Sequence, residues 1–293
     1  MRVWRKLIAR DGVIAILGEV ASSRSLEAAP VCQNARIPMI SPSSTNPDVT
    51  KTGDYIFRVC FIDPFQGTVM ANFAKDTLKA KRVAIFTDVK SDYSKGLAKF
   101  FKERHVANGG SLAAEFDFNG GDTDFKGQLT AIKAANPEAI FVPGYYTDVA
   151  LICIQAKQLG LAVPIFGGDG WESEKLIEIG RDAVEGQHFS THYHPDVGSP
   201  RSRAFVEAYK KAYQSAPDAM GALGYDSAMI LADAIRRAGS AEPARIRDAL
   251  AATRDFDAVT GRITIDGNRD ASKAAVILKV ENGRFKYLQT IAP

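Results

Sequence analysis

Short runs of apolar residues alternate along this chain with stretches in which apolar side chains recur every third or fourth position. The runs at 13–17, 37–40, 82–86, 139–142 and 164–166 predict strands, several apolar throughout, as a parallel strand covered on both faces requires. Residues 111–118 and 187–193 predict further strands, and 55–59 alternates more weakly. Between them, helical spacing covers 3–9, 25–35, 67–78, 93–107, 124–135 and 148–159. Leu26, Ala29, Val31 and Cys32 share one predicted face; Leu97, Phe100 and Phe101 share another; Phe125, Leu129 and Ile132 a third. Asn108-Gly109-Gly110 and Gly160 supply helix stops.

Strict alternation of this kind predicts an α/β protein with doubly wound sheets and right-handed crossovers. Helices at 200–213, 218–238 and 243–252 follow, then a β-rich end at 261–265, 274–280 and 285–291, with Asn282-Gly283 as a hairpin turn. The chain opens on the end of a helix leading into what reads as an interior strand. A domain does not usually begin there, so a preceding βαβ portion is expected to be absent from this chain.

Composition narrows the class. With 293 residues, 46% apolar and 24% charged, the chain suits a globular protein of two compact units. The net charge of +3 is spread along the sequence, which leaves no basic block for nucleic acid. There is no apolar run of membrane-spanning length, and charges at Arg10 and Asp11 break the start as a secretory signal. Cys32, Cys60 and Cys153 form no CxxC pair and read as buried free thiols.

Ligands of open α/β sheets bind outside the carboxyl ends of the strands. The residues predicted there are Ser22, Ser43, Thr45, Tyr93, Tyr145 and Asp169. Ala21-Ser22-Ser23 and Ser41-Pro42-Ser43-Ser44-Thr45 are hydroxyl-rich loops after two neighbouring strands. Hydroxyls with helix-terminal N–H groups suit a carboxylate, Asp169 between glycines suits an ammonium, and tyrosines wall an apolar slot. Together they fit a zwitterion with an apolar side chain, such as an α-amino acid. Ser22 and Thr45 also stand where helix N-caps stand, the tyrosines suit packing, and Asp169 suits a turn. His192 and His194 share a strand face near His188, but no carboxylate or cysteine is spaced to complete a metal site, and surface or crossover histidines are expected. GxSxG, P-loop and HExxH motifs are absent, no histidine falls on a strand-end loop to activate a serine, and no cofactor is implied.

In this order and spacing, the chain resembles the periplasmic substrate-binding proteins of branched-chain amino acid ABC transporters, the leucine/isoleucine/valine type. The marks are Ile16-Leu17-Gly18 with Ala21-Ser22-Ser23, Ile37-Pro38-Met39-Ile40-Ser41-Pro42 with Ser44-Thr45-Asn46-Pro47, and Tyr55-Ile56-Phe57-Arg58. Others are Asp92-Tyr93-Ser94-Lys95-Gly96, Asp122-Thr123-Asp124-Phe125, Gly144-Tyr145, Gly168-Asp169-Gly170 and Gly224-Tyr225-Asp226. The resemblance implies a type I periplasmic binding protein fold, with two Rossmann-like lobes joined by three hinge crossovers and closing over a ligand. It puts residues 1–62 with 194–272 in the N-terminal lobe, lacking its first strands, and 63–193 with 273–293 in the C-terminal lobe. It implies that Ser22 and Thr45 bind the ligand carboxylate and that the Ser43 carbonyl, the Thr45 hydroxyl and Asp169 meet the ammonium. Tyr93 and Tyr145 would close over the ligand, and Met220 falls near an apolar specificity position. Periplasmic location and partnership with permease subunits follow from the same resemblance, with no cofactor, no metal and no membrane insertion.

The alternative function is a ligand-sensing domain of the same fold regulating a partner protein; an enzyme on this scaffold has the least support. Branched aliphatic, aromatic and short amide ligands all remain open, with the tyrosines, Trp171 and Met220 expected to supply an apolar lining.

Overall fold

The computed structural model describes residues 2–293. Two compact units divide the chain. The first comprises the residues up to Ile62 with His192–Ala274 and Ala292–Pro293; the second comprises Asp63–Thr191 with Ala275–Ile291.

In the first unit a parallel sheet runs in the order Ile16–Leu17, Met39–Ser41, Ile56–Arg58. Register pairs Leu17 with Ile40 and Ser41 with Arg58. The run at 13–17 yields only two strand residues, at an edge of this sheet among the described residues, and Leu17 is 44% exposed.

Helix Ser22–Ala35 begins three residues before its apolar periodicity does. It buries Ser25, Ala28, Ala29 and Cys32, and Ala28, Ala29 and Cys32 pack against Ile16, Met39, Val49 and Ile56. Small residues on that face let the helix lie close to the sheet. Val31 is only half-buried and leaves the predicted face.

The helix Ala219–Ala238 carries the other core of this unit, with Leu223, Ile230 and Ala234 packed among Ile40, Phe57, Val59, Ile246 and Leu250. Asp218 caps it by accepting from the Gly221 N–H at 2.7 Å. Strands Phe256–Ala258, Gly261–Ile265 and Ala271–Ser272 complete the unit as an antiparallel set.

The second unit holds a seven-stranded sheet among the described residues. Its order is Arg284–Ile291, Ala275–Glu281, His188–Thr191, Ile165–Gly167, Ala139–Val142, Arg82–Asp88, Ser111–Phe118. The last five named run parallel; the first two form an antiparallel hairpin on His188–Thr191. Asn282 and Gly283 both have positive φ, 55° and 67°, as a type I′ turn requires.

The parallel strands follow the doubly wound order in which the second strand lies outside the first and the third lies inside it. The direction of winding reverses between Arg82–Asp88 and Ala139–Val142, and ligands bind at the carboxyl side of such a switch point. Tyr93 follows the first of these strands and Tyr145 the second.

Aromatic packing fixes one face of this sheet. Phe86, Phe118 and Phe125 are buried and meet edge to face, with centroids 4.9 to 6.0 Å apart. Leu129 and Ile132 join them, as their spacing predicts.

Candidate functional site

Each unit carries one group of the predicted residues at its strand ends. In the first unit the loops at 18–22 and 41–46 leave adjacent strands side by side, and hydroxyls stitch them together. Ser41 Oγ donates to the Glu19 carbonyl at 2.7 Å. Ser44 Oγ donates to the Val20 carbonyl at 2.9 Å and lies 2.7 Å from Ser25 Oγ. Ser43 Oγ donates to the Val20 carbonyl at 3.3 Å, and Ser22 Oγ accepts from the Asn46 N–H at 3.2 Å.

Thr45 differs from the rest. It is wholly buried, and its Oγ1 has no hydrogen-bond partner. A buried hydroxyl left in this state is costly.

Capping does not account for either residue. Ala21 is the N-cap of Ser22–Ala35, and Ser22 is the first helical residue, with its N–H at the positive end of the helix. The short helix Asp48–Lys51 has Pro47 as its N-cap, and Asn46 Oδ1 takes the Asp48 N–H at 2.9 Å.

Arg58 supports the second loop from beneath. Its side chain is wholly buried, its Nη1 donates to the Ser44 carbonyl and its Nη2 donates to the Asn46 carbonyl at 2.9 Å. Its Nε pairs with Asp270 Oδ1 at 2.7 Å, and Thr50 Oγ1 donates to the same oxygen at 2.8 Å. Sequence reasoning missed this role; the available signal was one cation inside the apolar run Ile56 to Phe61.

In the second unit Tyr93 and Tyr145 lie with ring centroids 5.3 Å apart. Tyr93 is buried, and its hydroxyl accepts from the Gly170 N–H at 3.1 Å. Burial, with the Asp169 carboxylate adding, drives the Tyr93 phenol well above its usual range, and the same two causes raise Tyr145. Both rings are therefore neutral phenols at physiological pH.

Asp169 opens the short 3₁₀ turn Asp169–Trp171 after the strand Ile165–Gly167. It is buried, and its Oδ1 accepts from Gln66 Nε2 at 2.8 Å. The turn role expected of it is present too, since the Asp169 carbonyl takes the Glu172 N–H. Gly168 is required for close approach: a Cβ there would stand 2.5 Å from Tyr93 Oη and 2.9 Å from Gln66 Nε2.

Trp171 does not belong to a lining. It is wholly buried in the core of the second unit, and its Nε1 donates to the Val142 carbonyl at 2.9 Å. Met220, second residue of its helix, is half-buried in the first unit.

His188 is half-buried. His192 is buried against Phe61 at 3.8 Å between centroids, and His194 is buried as well. Among the described residues no three His, Cys, Asp or Glu side chains converge as metal ligands would. All three cysteines are free and buried, and burial pushes the Cys32 thiol up to about 11 and Cys153 to about 12.

Chemically, the first group offers hydroxyls and helix-terminal N–H donors. The second offers a carboxylate and two neutral phenols.

The periplasmic binding protein family model matches residues 1–284, and the chain belongs to that family, whose members bind solutes and are not enzymes. The leucine-binding protein LivK of Thermotoga maritima is 47% identical with a TM-score of 0.97, covering 100% of this chain and 83% of that one. LivJ of Streptococcus pneumoniae, a branched-chain amino acid transporter substrate-binding protein solved with isoleucine, is 35% identical with a TM-score of 0.93 at the same coverage. The leucine-, isoleucine-, valine-, threonine- and alanine-binding protein of Pseudomonas aeruginosa is 31% identical over 265 residues, 90% of this chain and 70% of its own length. The fold is that of the type I periplasmic binding proteins.

Proposed function

We propose that this chain is the solute-binding component of an ABC importer and that it binds a branched-chain α-amino acid in the periplasm. In this reading Ser22 and Thr45 receive the carboxylate, and Asp169, with the Ser43 carbonyl, receives the ammonium. Tyr93 and Tyr145 enclose the ligand with apolar rings, and permease subunits accept the loaded protein.

The observation that carries the reading is the buried, unpartnered hydroxyl of Thr45, in a loop whose neighbouring serine hydroxyls are all spent. A ligand carboxylate supplies the acceptor that Thr45 lacks. Asp169 favours an amino acid over a simple carboxylic acid, because it would repel an anion with no ammonium attached. The relatives named for leucine, isoleucine and valine support the same class.

The test is a thermal-shift panel of free amino acids. A true ligand at a hundredfold excess over its Kd stabilises the protein by about 2.7 kcal/mol. Leucine, isoleucine or valine is expected to lead the panel. A panel in which none of the three shifts the melting temperature, while an aromatic acid or an amide does, would overturn the assignment.

A further inference from the structure

We propose that Gln66 is a positioning residue that aims the Asp169 carboxylate at the ligand ammonium; the proposal rests on the reading of Asp169 given above. Gln66 lies on the helix Asp63–Asp76 and is wholly buried. Its Nε2 donates to Asp169 Oδ1 at 2.8 Å and to Ser190 Oγ at 2.9 Å. Its Oε1 is buried with no partner.

A carboxylate only accepts hydrogen bonds, so the NH₂ end of the amide must face it. Turning the amide over would set its oxygen against the Asp169 oxygen. Gln66 thus keeps its own acceptor unsatisfied in order to hold Asp169. The charge-assisted bond pins one carboxylate oxygen and fixes the plane in which the remaining lone pairs are offered.

The second bond anchors the amide. Ser190 is next to last in the strand His188–Thr191, and the following residue, Thr191, donates through Oγ1 to the Glu172 carboxylate just beyond the Asp169–Trp171 turn. The amide bridge through Gln66 and the Thr191–Glu172 bond therefore tie the turn to one strand end, and Gln66 reaches the carboxylate proposed to meet the ligand.

The test compares L-leucine with 4-methylpentanoate, the same carbon skeleton without the ammonium, by titration calorimetry on the full chain. Gln66→Met keeps the size and removes both bonds. It is expected to weaken leucine by about tenfold or more and 4-methylpentanoate by less than about twofold. In an Asp169→Asn background, Gln66→Met should add little further loss for leucine. Equal weakening of both probes, or additive losses in the double variant, would assign Gln66 a purely structural role and overturn the proposal. If Asp169→Asn leaves leucine binding intact, the reading of Asp169 fails, and the positioning role fails with it. Should Gln66→Met not fold, Gln66→Asn, which keeps the amide one methylene short of Asp169, is read by the same ratio.

Discussion

Arg58 Nε lies 2.7 Å from Asp270 Oδ1, with the guanidinium wholly buried and its two terminal nitrogens bonded to the carbonyls of Ser44 and Asn46. The pair joins two segments more than two hundred residues apart, and it fixes the loop that presents Ser43 and Thr45. Removing one member leaves an uncompensated charge in the interior, which typically costs about 3–5 kcal/mol. Asp270→Ala is therefore expected to lower the urea midpoint by that amount of stability with little change in slope. A loss no larger than an ordinary surface substitution would show that the pair does not hold the loop.

Thr45→Val separates the two demands on that loop. The change removes a buried hydroxyl that has no partner, so the ligand-free protein should keep its stability or gain up to about 1–3 kcal/mol. Leucine affinity should fall about tenfold, since one hydrogen bond to a carboxylate is lost. Ser44→Ala should behave in the opposite way. Its hydroxyl serves the Val20 carbonyl and Ser25, and its loss should cost stability by about 1–3 kcal/mol. Melting curves with and without leucine check both. Parallel losses of stability and affinity for Thr45→Val would remove the case for an unspent hydroxyl.

Regular elements were legible where the pattern had length. Strands Ser111–Phe118 and Ala139–Val142 and the helix Pro200–Tyr213 stand where periodicity predicts them. The helix Glu174–Gly180 was not seen, because seven residues give too few turns for a face to emerge. The strand ends were legible because glycine, serine and tyrosine stand out after apolar runs. Hydrogen-bond partners were not: nothing local marks Ser44 and Ser25 as stitching residues, Gln66 as a partner of Asp169, or Trp171 as core. Those roles depend on residues 19 and 103 positions apart, which periodicity does not encode.

Acid should destabilise the second unit through His188. Burial, with Lys279 adding, pushes this imidazole down to about 4, against about 6.5 when the chain is unfolded. Above pH 6.5 both states are neutral and the group contributes nothing. As pH falls from 6.5 to 4 the unfolded state takes up a proton that the folded state refuses, so stability declines through that window and levels off below it. His188→Phe removes the difference. The stability gap between wild type and variant should therefore shift in favour of the variant between pH 7 and pH 4.5, measured by urea unfolding. A gap that stays constant over that range would show that the ring titrates normally.

Two glycine substitutions should move stability in opposite directions. Gly224 is exposed on the helix Ala219–Ala238, and a Cβ there meets nothing within 4 Å. Gly224→Ala should stabilise by about 0.5–1 kcal/mol through helix propensity and lost chain entropy. At Gly168 a Cβ would stand 2.5 Å from Tyr93 Oη, 2.6 Å from Leu97 Cδ2 and 2.9 Å from Gln66 Nε2. All three neighbours are buried side chains, so relief requires the tyrosine or the amide to move. Gly168→Ala should cost about 1–3 kcal/mol, the usual penalty of overpacking. Because the displaced groups are those that hold Tyr93 and Asp169, leucine affinity should fall with stability, whereas Gly224→Ala should leave it unchanged. Thermal melts and calorimetry on the two variants decide the matter; retained affinity in Gly168→Ala would mean that the Tyr93–Gln66–Asp169 packing is not needed for binding.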